Sequence, residues 1–196
     1  MSFRIATLLL LSGLVAGAAS AQDATNADFS GGLSYMRSNA ADGMCGCFSL
    51  VGGNGSFVMN ANQRISAVAD FGYQHSANIN STGFDLGLVT YMAGPRISFR
   101  GQKLTVFGQA LLGGAKATSS SSFNNGMGMA GSAGAGVDLK LTQRLSWRIL
   151  EADYLLARIP NGESNLQNNT RFTMGIVFRL GYMPPQGPHR PYDRPY

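Results

Sequence analysis

From residue 29 onward, apolar and polar side chains alternate with a period of two, the repeat expected where successive side chains leave a strand on opposite faces. Phe29, Gly31, Leu33 and Tyr35 fall on one side, opposed by Ser30, Gly32, Ser34 and Ser38. Val51, Gly53, Gly55, Phe57 and Met59 oppose Gly52, Asn54, Ser56 and Asn60, and Ile65, Ala67, Ala69, Phe71 and Tyr73 oppose Ser66, Asp70, Gly72 and Gln74. The odd positions of 127–139 oppose Gly128, Ser132, Gly134, Gly136, Asp138 and Lys140, and the even positions of 170–180 oppose Arg171, Thr173, Gly175 and Arg179. Three further stretches, 84–99, 104–116 and 145–157, predict strands with blurred faces. In the last, Glu151 and Asp153 share a parity with Trp147 and Ile149, while Arg148 takes the other. Either a bulge or a place for Arg148 at a membrane interface reconciles them. A helix through 126–136 would carry several glycines at about 1 kcal/mol each relative to alanine.

Eight strands are therefore predicted, and their connectors alternate in length. The stretches 60–64, 100–103 and 141–144 are short, polar and basic, whereas 39–47, 76–83, 117–125 and 158–168 are longer and rich in Ser, Asn and Gly. An all-β, eight-stranded antiparallel up-and-down barrel crossing an outer membrane has this plan, with short periplasmic turns and longer outside loops. Asn54-Gly55 is the one competing signal, a tight hairpin turn that would split the second strand.

Composition decides which way the apolar face points. Charged residues are 13% of the chain, against about 25% in ordinary globular domains, and glycine supplies 26 of 196 residues, nearly double the usual share of about 7%. A soluble lipocalin-like barrel would turn its apolar face inward and need a charged coat, for which this chain has too few charges. A membrane barrel turns that face to lipid. Asp70, Asp138, Lys140, Glu151, Asp153, Arg171 and Arg179 are then the candidates to line the lumen. They could form a narrow ion path. In a tube just wide enough for side chains, a salt-bridged plug is the favoured reading. Phe29, Tyr35, Phe57, Tyr73, Phe99, Phe107, Trp147, Tyr154, Phe172 and Phe178 lie near strand ends, where interface girdles place aromatic residues.

The remaining features refine this picture. Arg4, an apolar run over 5–19 and Ala19-Ser20-Ala21 match a cleaved export signal, and the run is shorter than the ~20 residues that span a bilayer. The division expected is a signal peptide at 1–21, a barrel at 22–181 and a Pro-rich tail at 182–196, extended or disordered, which could touch peptidoglycan. The net charge of +5 is scattered, which speaks against nucleic acid as a partner. Cys45 and Cys47, one residue apart in the first long loop of an exported chain, are a candidate disulfide; no neighbouring ligand completes a metal site. His75, Ser76 and Asp85 contain the atoms of an activated serine, but adjacent His and Ser point to opposite faces of a strand. No catalytic residue, metal ligand or cofactor is assigned.

Gly94-Pro95-Arg96, Phe107-Gly-Gln-Ala-Leu-Leu-Gly-Gly114, the run from Gly134 to Lys140 followed by Leu-Thr-Gln-Arg144, and the closing segment 171–181 together resemble the OmpA-type transmembrane domain and the related opacity-like surface antigens. The resemblance spans about 28–181. It implies a Gram-negative outer-membrane location, contact with outer-membrane lipid, assembly by the barrel-insertion machinery, and a structural, anchoring or adhesive role through four outside loops. A small porin-like pore is the alternative role, ahead of a lipid-modifying barrel enzyme or a soluble binding barrel. The sequence departs from the pattern in its tail, because such barrels often end at an aromatic residue of the last strand.

Overall fold

The computed structural model of the chain describes residues 27–38, 48–77, 85–119, 126–159 and 166–180. The segment 1–21 expected to be an export signal, the loop holding Cys45 and Cys47, and the tail 182–196 lie outside the described residues. Eight strands follow one another as β1 (Ala27–Ser38), β2 (Phe48–Asn60), β3 (Ile65–Ser76), β4 (Leu86–Arg100), β5 (Leu104–Ser119), β6 (Gly126–Lys140), β7 (Leu145–Arg158) and β8 (Leu166–Leu180). Each pairs antiparallel with its chain neighbours, and β1 pairs with β8, so the sheet closes into an up-and-down barrel. Closure leaves no strand edge with unpaired amide groups, the condition for a sheet to stand in hydrocarbon.

The alternation read from sequence sets the two faces. Leu33, Phe71, Leu112, Met129 and Ile176 are exposed on the outer wall, whereas Ser30, Asp70, Gln109, Ser132 and Arg171 are buried on the inner one. All five carboxylates carried by the strands, Asp28, Asp70, Asp138, Glu151 and Asp153, take inward positions. A wall this apolar far exceeds the patches of a few hundred Å² that water-soluble monomers expose. The soluble-barrel reading fails on that ground.

One end carries the short turns. Asn62 Oδ1 accepts from the Arg64 and Ile65 amides at 2.8 and 2.7 Å, and Thr142 Oγ1 accepts from the Arg144 and Leu145 amides at 3.3 and 3.0 Å. These side chains stand in for a backbone acceptor, which is why Asn and Thr serve in such tight connections. At the opposite, loop end the strands run further than the sequence predicts. β5 reaches Ser119 and β8 begins at Leu166, inside stretches read as loops. Their Ser, Thr and Asn side chains lack the apolar alternation that marks a strand, yet the backbone ladder pairs regardless of what the side chains face. Asn54 sits in the middle of β2 opposite Gly32 and Gly72, so Asn54-Gly55 makes no turn.

Candidate functional site: the barrel interior

Every strand contributes to one polar cluster at mid-barrel. β7 carries the centre of it. Its ladder register shifts between Val137 and Asp138 against β6, and between Arg148 and Glu151 against β8. The bulge at Ile149 and Leu150 lets Arg148, Glu151 and Asp153 all point inward, although their numbering gives them opposite parities. Of the two explanations open from sequence, the bulge is the one that the structure adopts.

Two arginines each bridge two carboxylates. Arg171 donates from Nη1 to Asp70 Oδ1 at 3.0 Å, and from Nη2 and Nε to Asp153 Oδ2 at 2.8 and 3.2 Å. Arg148 donates from Nε to Asp138 Oδ1 at 2.9 Å, and from Nη1 to Glu151 Oε2 at 2.5 Å and Ser30 Oγ at 3.2 Å. A third arginine, Arg96, donates from Nε and Nη2 to the amide oxygen of Gln109 at 3.0 and 2.6 Å. The Gln109 amide nitrogen then donates to Glu151 Oε1 at 2.7 Å and Asp153 Oδ1 at 3.1 Å. Gln109 therefore links the third cation to the carboxylates of the other two pairs. Asn54 completes the ring by donating to Asp70 Oδ2 at 2.9 Å.

Three guanidinium groups and four carboxylates are buried here, and Arg171 and Asp70 have no exposure at all. Each ion loses several kcal/mol of hydration, which only close pairing and filled lone pairs can offset. Arg148 and Arg171 meet both conditions, while Arg96 rests on the Gln109 amide oxygen, so the cluster locks side chains in place more than it adds net stability.

Of the sequence-picked lumen residues, Asp70, Asp138, Glu151, Asp153 and Arg171 meet in this cluster. Lys140 and Arg179 do not. Lys140 is exposed at the turn end of β6, and Arg179 is half-buried at the turn end of β8, where it pairs in register with Asp28. There Arg100 approaches Asp28 at 3.7 Å and donates to Asn60 Oδ1 at 2.8 Å, forming a separate polar mouth. Arg148, Arg96, Gln109 and Asn54 were missing from that set. Arg96 was detectable, because outward Ile97 and Phe99 fix its inward parity.

Phe107 corrects the aromatic girdle. It faces the lumen, 2% exposed, with Arg96 and Arg148 over its ring at 4.1 and 4.8 Å from the centroid. Desolvated cation–π contacts of this kind contribute about 2 kcal/mol. The ring lies against Gly136, where an added Cβ would come within 2.4 Å of Phe107 Cζ. Gly136→Ala is expected to lose roughly 1–3 kcal/mol through overpacking. Gly31→Ala, with nothing within 4 Å, should lose none. Urea unfolding from lipid vesicles, followed by the fluorescence of the single tryptophan, Trp147, measures both.

The lumen is not polar throughout. Toward the loop end, Met36, Leu50, Leu88, Met92, Leu111 and Leu155 pack into an apolar layer above the ion pairs. The inward faces of β4 and β5 supply much of it, which explains why those strands read as blurred. His75 is exposed on the outer face and Ser76 follows on the inner one, so the two do not form a nucleophile–base pair.

No protein-family model matches the chain, and no curated protein matches its sequence. Solved structures match its fold. Neisserial surface protein A superposes with a TM-score of 0.65 at 13% identity, covering 80% of this chain and 99% of that one. The attachment invasion locus protein Ail of Yersinia pestis gives 0.57 at 17% identity, with 80% and 99% covered. Ail has also been solved in complex with the heparin analogue sucrose octasulfate. The outer membrane protein OprG of Pseudomonas aeruginosa gives 0.55 at 11% identity, with 82% and 98% covered. The chain thus has the closed eight-stranded transmembrane barrel fold of bacterial outer-membrane proteins.

Proposed function

We propose that this chain is a non-conducting outer-membrane barrel that anchors four outside loops and acts through its surface, as an envelope-stabilising or surface-interaction protein. The observation that carries this reading is the two-layer filling of the lumen. A polar cluster to which all eight strands contribute, with Arg148 and Arg171 each bridging two carboxylates, is overlaid by packed Met and Leu side chains. An ion crossing here would have to displace bridged arginines and then shed its water in the apolar layer. Function then falls to the loops, which a rigid scaffold holds outside. The polyanion complex of Ail, a protein of the same fold, supports a surface role. In this reading the short basic turns face the periplasm, the barrel-insertion machinery assembles the chain, and the tail 182–196 is free to meet peptidoglycan.

Purified chain in a planar bilayer is expected to give no steady ion conductance, and envelope fractionation should place it with the outer membrane in a heat-modifiable form. Steady single-channel steps would establish the small-pore alternative. Recovery as a folded monomer in detergent-free buffer would end the membrane reading.

A further inference from the structure

The outer wall is hollowed on one side. Across β4 to β7 lies an apolar groove of about 580 Å³, inside the range of roughly 300–1,000 Å³ typical of small-molecule sites. Its floor is built of small side chains, chiefly Ala110, Gly131 and Ala133, and its sides of Leu112, Tyr154 and Leu156. The strand register explains the shape. One row across the sheet reads Ala110, Ala133, Tyr154, and the next toward the loop end reads Leu112, Gly131, Leu156.

Two cations stand above the groove on the same face. The next row is Gly114, Met129, Arg158, and the one after it pairs Lys116 with Met127. Lys116 and Arg158 are both exposed. Strand spacing and rise set their backbones roughly 12 Å apart. Twelve residues up a strand tilted by about 40° place Lys116 about 30 Å above the turn end, just past an apolar band about 25 Å tall. The charges therefore sit at the headgroup level of the leaflet on the loop side, and the groove lies within its acyl region.

We propose that this face binds one anionic lipid of the outer leaflet, a phosphorylated glycolipid, with an acyl chain in the groove and its phosphates held by Lys116 and Arg158. The proposal rests on the outer-membrane reading above. Charge complementarity selects the occupant. Every carboxylate on the described strands points inward, so the strand wall above the groove presents Lys116 and Arg158 with no carboxylate in their rows, and exposed Asp85 lies beyond it, before β4 begins. A second copy of the chain, docked by two-fold symmetry on this groove, would set those cations against their own counterparts. A zwitterionic phospholipid would leave the local positive charge unbalanced. A phosphorylated glycolipid matches both the charge and the apolar groove.

The test uses the full chain in nanodiscs of zwitterionic phospholipid doped with bisphosphorylated lipid A, read by native mass spectrometry after release into mild detergent. The wild type is expected to keep one lipid A per barrel. The double variant K116Q/R158Q should keep at least tenfold less, and A133F, which fills the groove, should lose it comparably while heat-modifiable mobility stays normal. R37Q, a single charge loss at the loop end of β1 on the opposite side, should behave as wild type. Added inorganic phosphate should not displace the lipid. Equal retention by K116Q/R158Q, equal retention of phosphatidylglycerol, or a dimer mass in place of bound lipid would each overturn the proposal. A chain that enters the discs and holds no lipid A defeats this proposal alone, whereas one that never enters them defeats the membrane reading as well.

Discussion

Arg171→Met is expected to lower the stability of the folded barrel by about 3–5 kcal/mol, because it strands two buried carboxylates at once. Asp70 and Asp153 have essentially no exposure, and Arg171 reaches both, at 3.0 and 2.8 Å. Without it, Asp70 keeps one donor from Asn54 and Asp153 keeps one from Gln109, too few to hold an ion out of water. The loss measures the penalty of an orphaned charge and not the net worth of the pair. The triple variant R171M/D70N/D153N removes the charges together and should recover most of it. Urea unfolding from vesicles, read through Trp147, supplies the measurement. If the single and triple variants unfold at the same midpoint, the cluster is not held together by charge pairing.

The bulge in β7 leads to a second large effect, through two deletions three residues apart. Deleting Ile149 removes the extra residue. The partners Asp138 with Arg148 and Val137 with Leu150 then fall into one continuous register, as do Arg148 with Gly175 and Glu151 with Thr173. Arg148, Glu151 and Asp153 all stay inward, so this variant should fold. Deleting Ala152 cannot keep those faces. If the bulge is lost, Glu151 turns to lipid; if it is kept, Asp153 does, together with the rest of the strand reversed. A carboxylate facing acyl chains and an arginine left without its partner should cost roughly 5 kcal/mol. The ΔAla152 chain is expected to show no heat-shifted folded band on a gel, whereas ΔIle149 retains it. The opposite order would mean that the bulge does not set which way β7 faces.

Much of the fold was legible because lipid outside and polar groups inside impose opposite demands on alternate residues. That contrast is sharp in β1, β2, β3, β6 and β8. It fades in β4 and β5, where Leu88, Met92, Leu111 and Ala115 face inward and both faces become apolar. Phe107 was assigned to the girdle because an aromatic residue near a strand end normally meets the interface. Nothing local reveals that Gly136 lies opposite to make room for its ring. Five of the seven lumen charges picked from sequence enter the central cluster, since a charged residue on a membrane strand has few other places to go. Gln109 could not be found in this way. Its role as a two-way donor and acceptor depends on three strands, β4, β5 and β7, meeting in space.

The seam between β1 and β8 carries a final consequence. It joins the first strand of the barrel to the last, with Asp28 beside Arg179 and Ser34 beside Thr173. Until β8 has emerged from the export channel, β1 and β7 each present a naked row of amides with nothing to bond. Ring formation is therefore a late, all-or-nothing event of high contact order. A chain cut short before Leu166 should wait in the periplasm as a chaperone client and an aggregation hazard instead of entering the bilayer as a seven-stranded fragment.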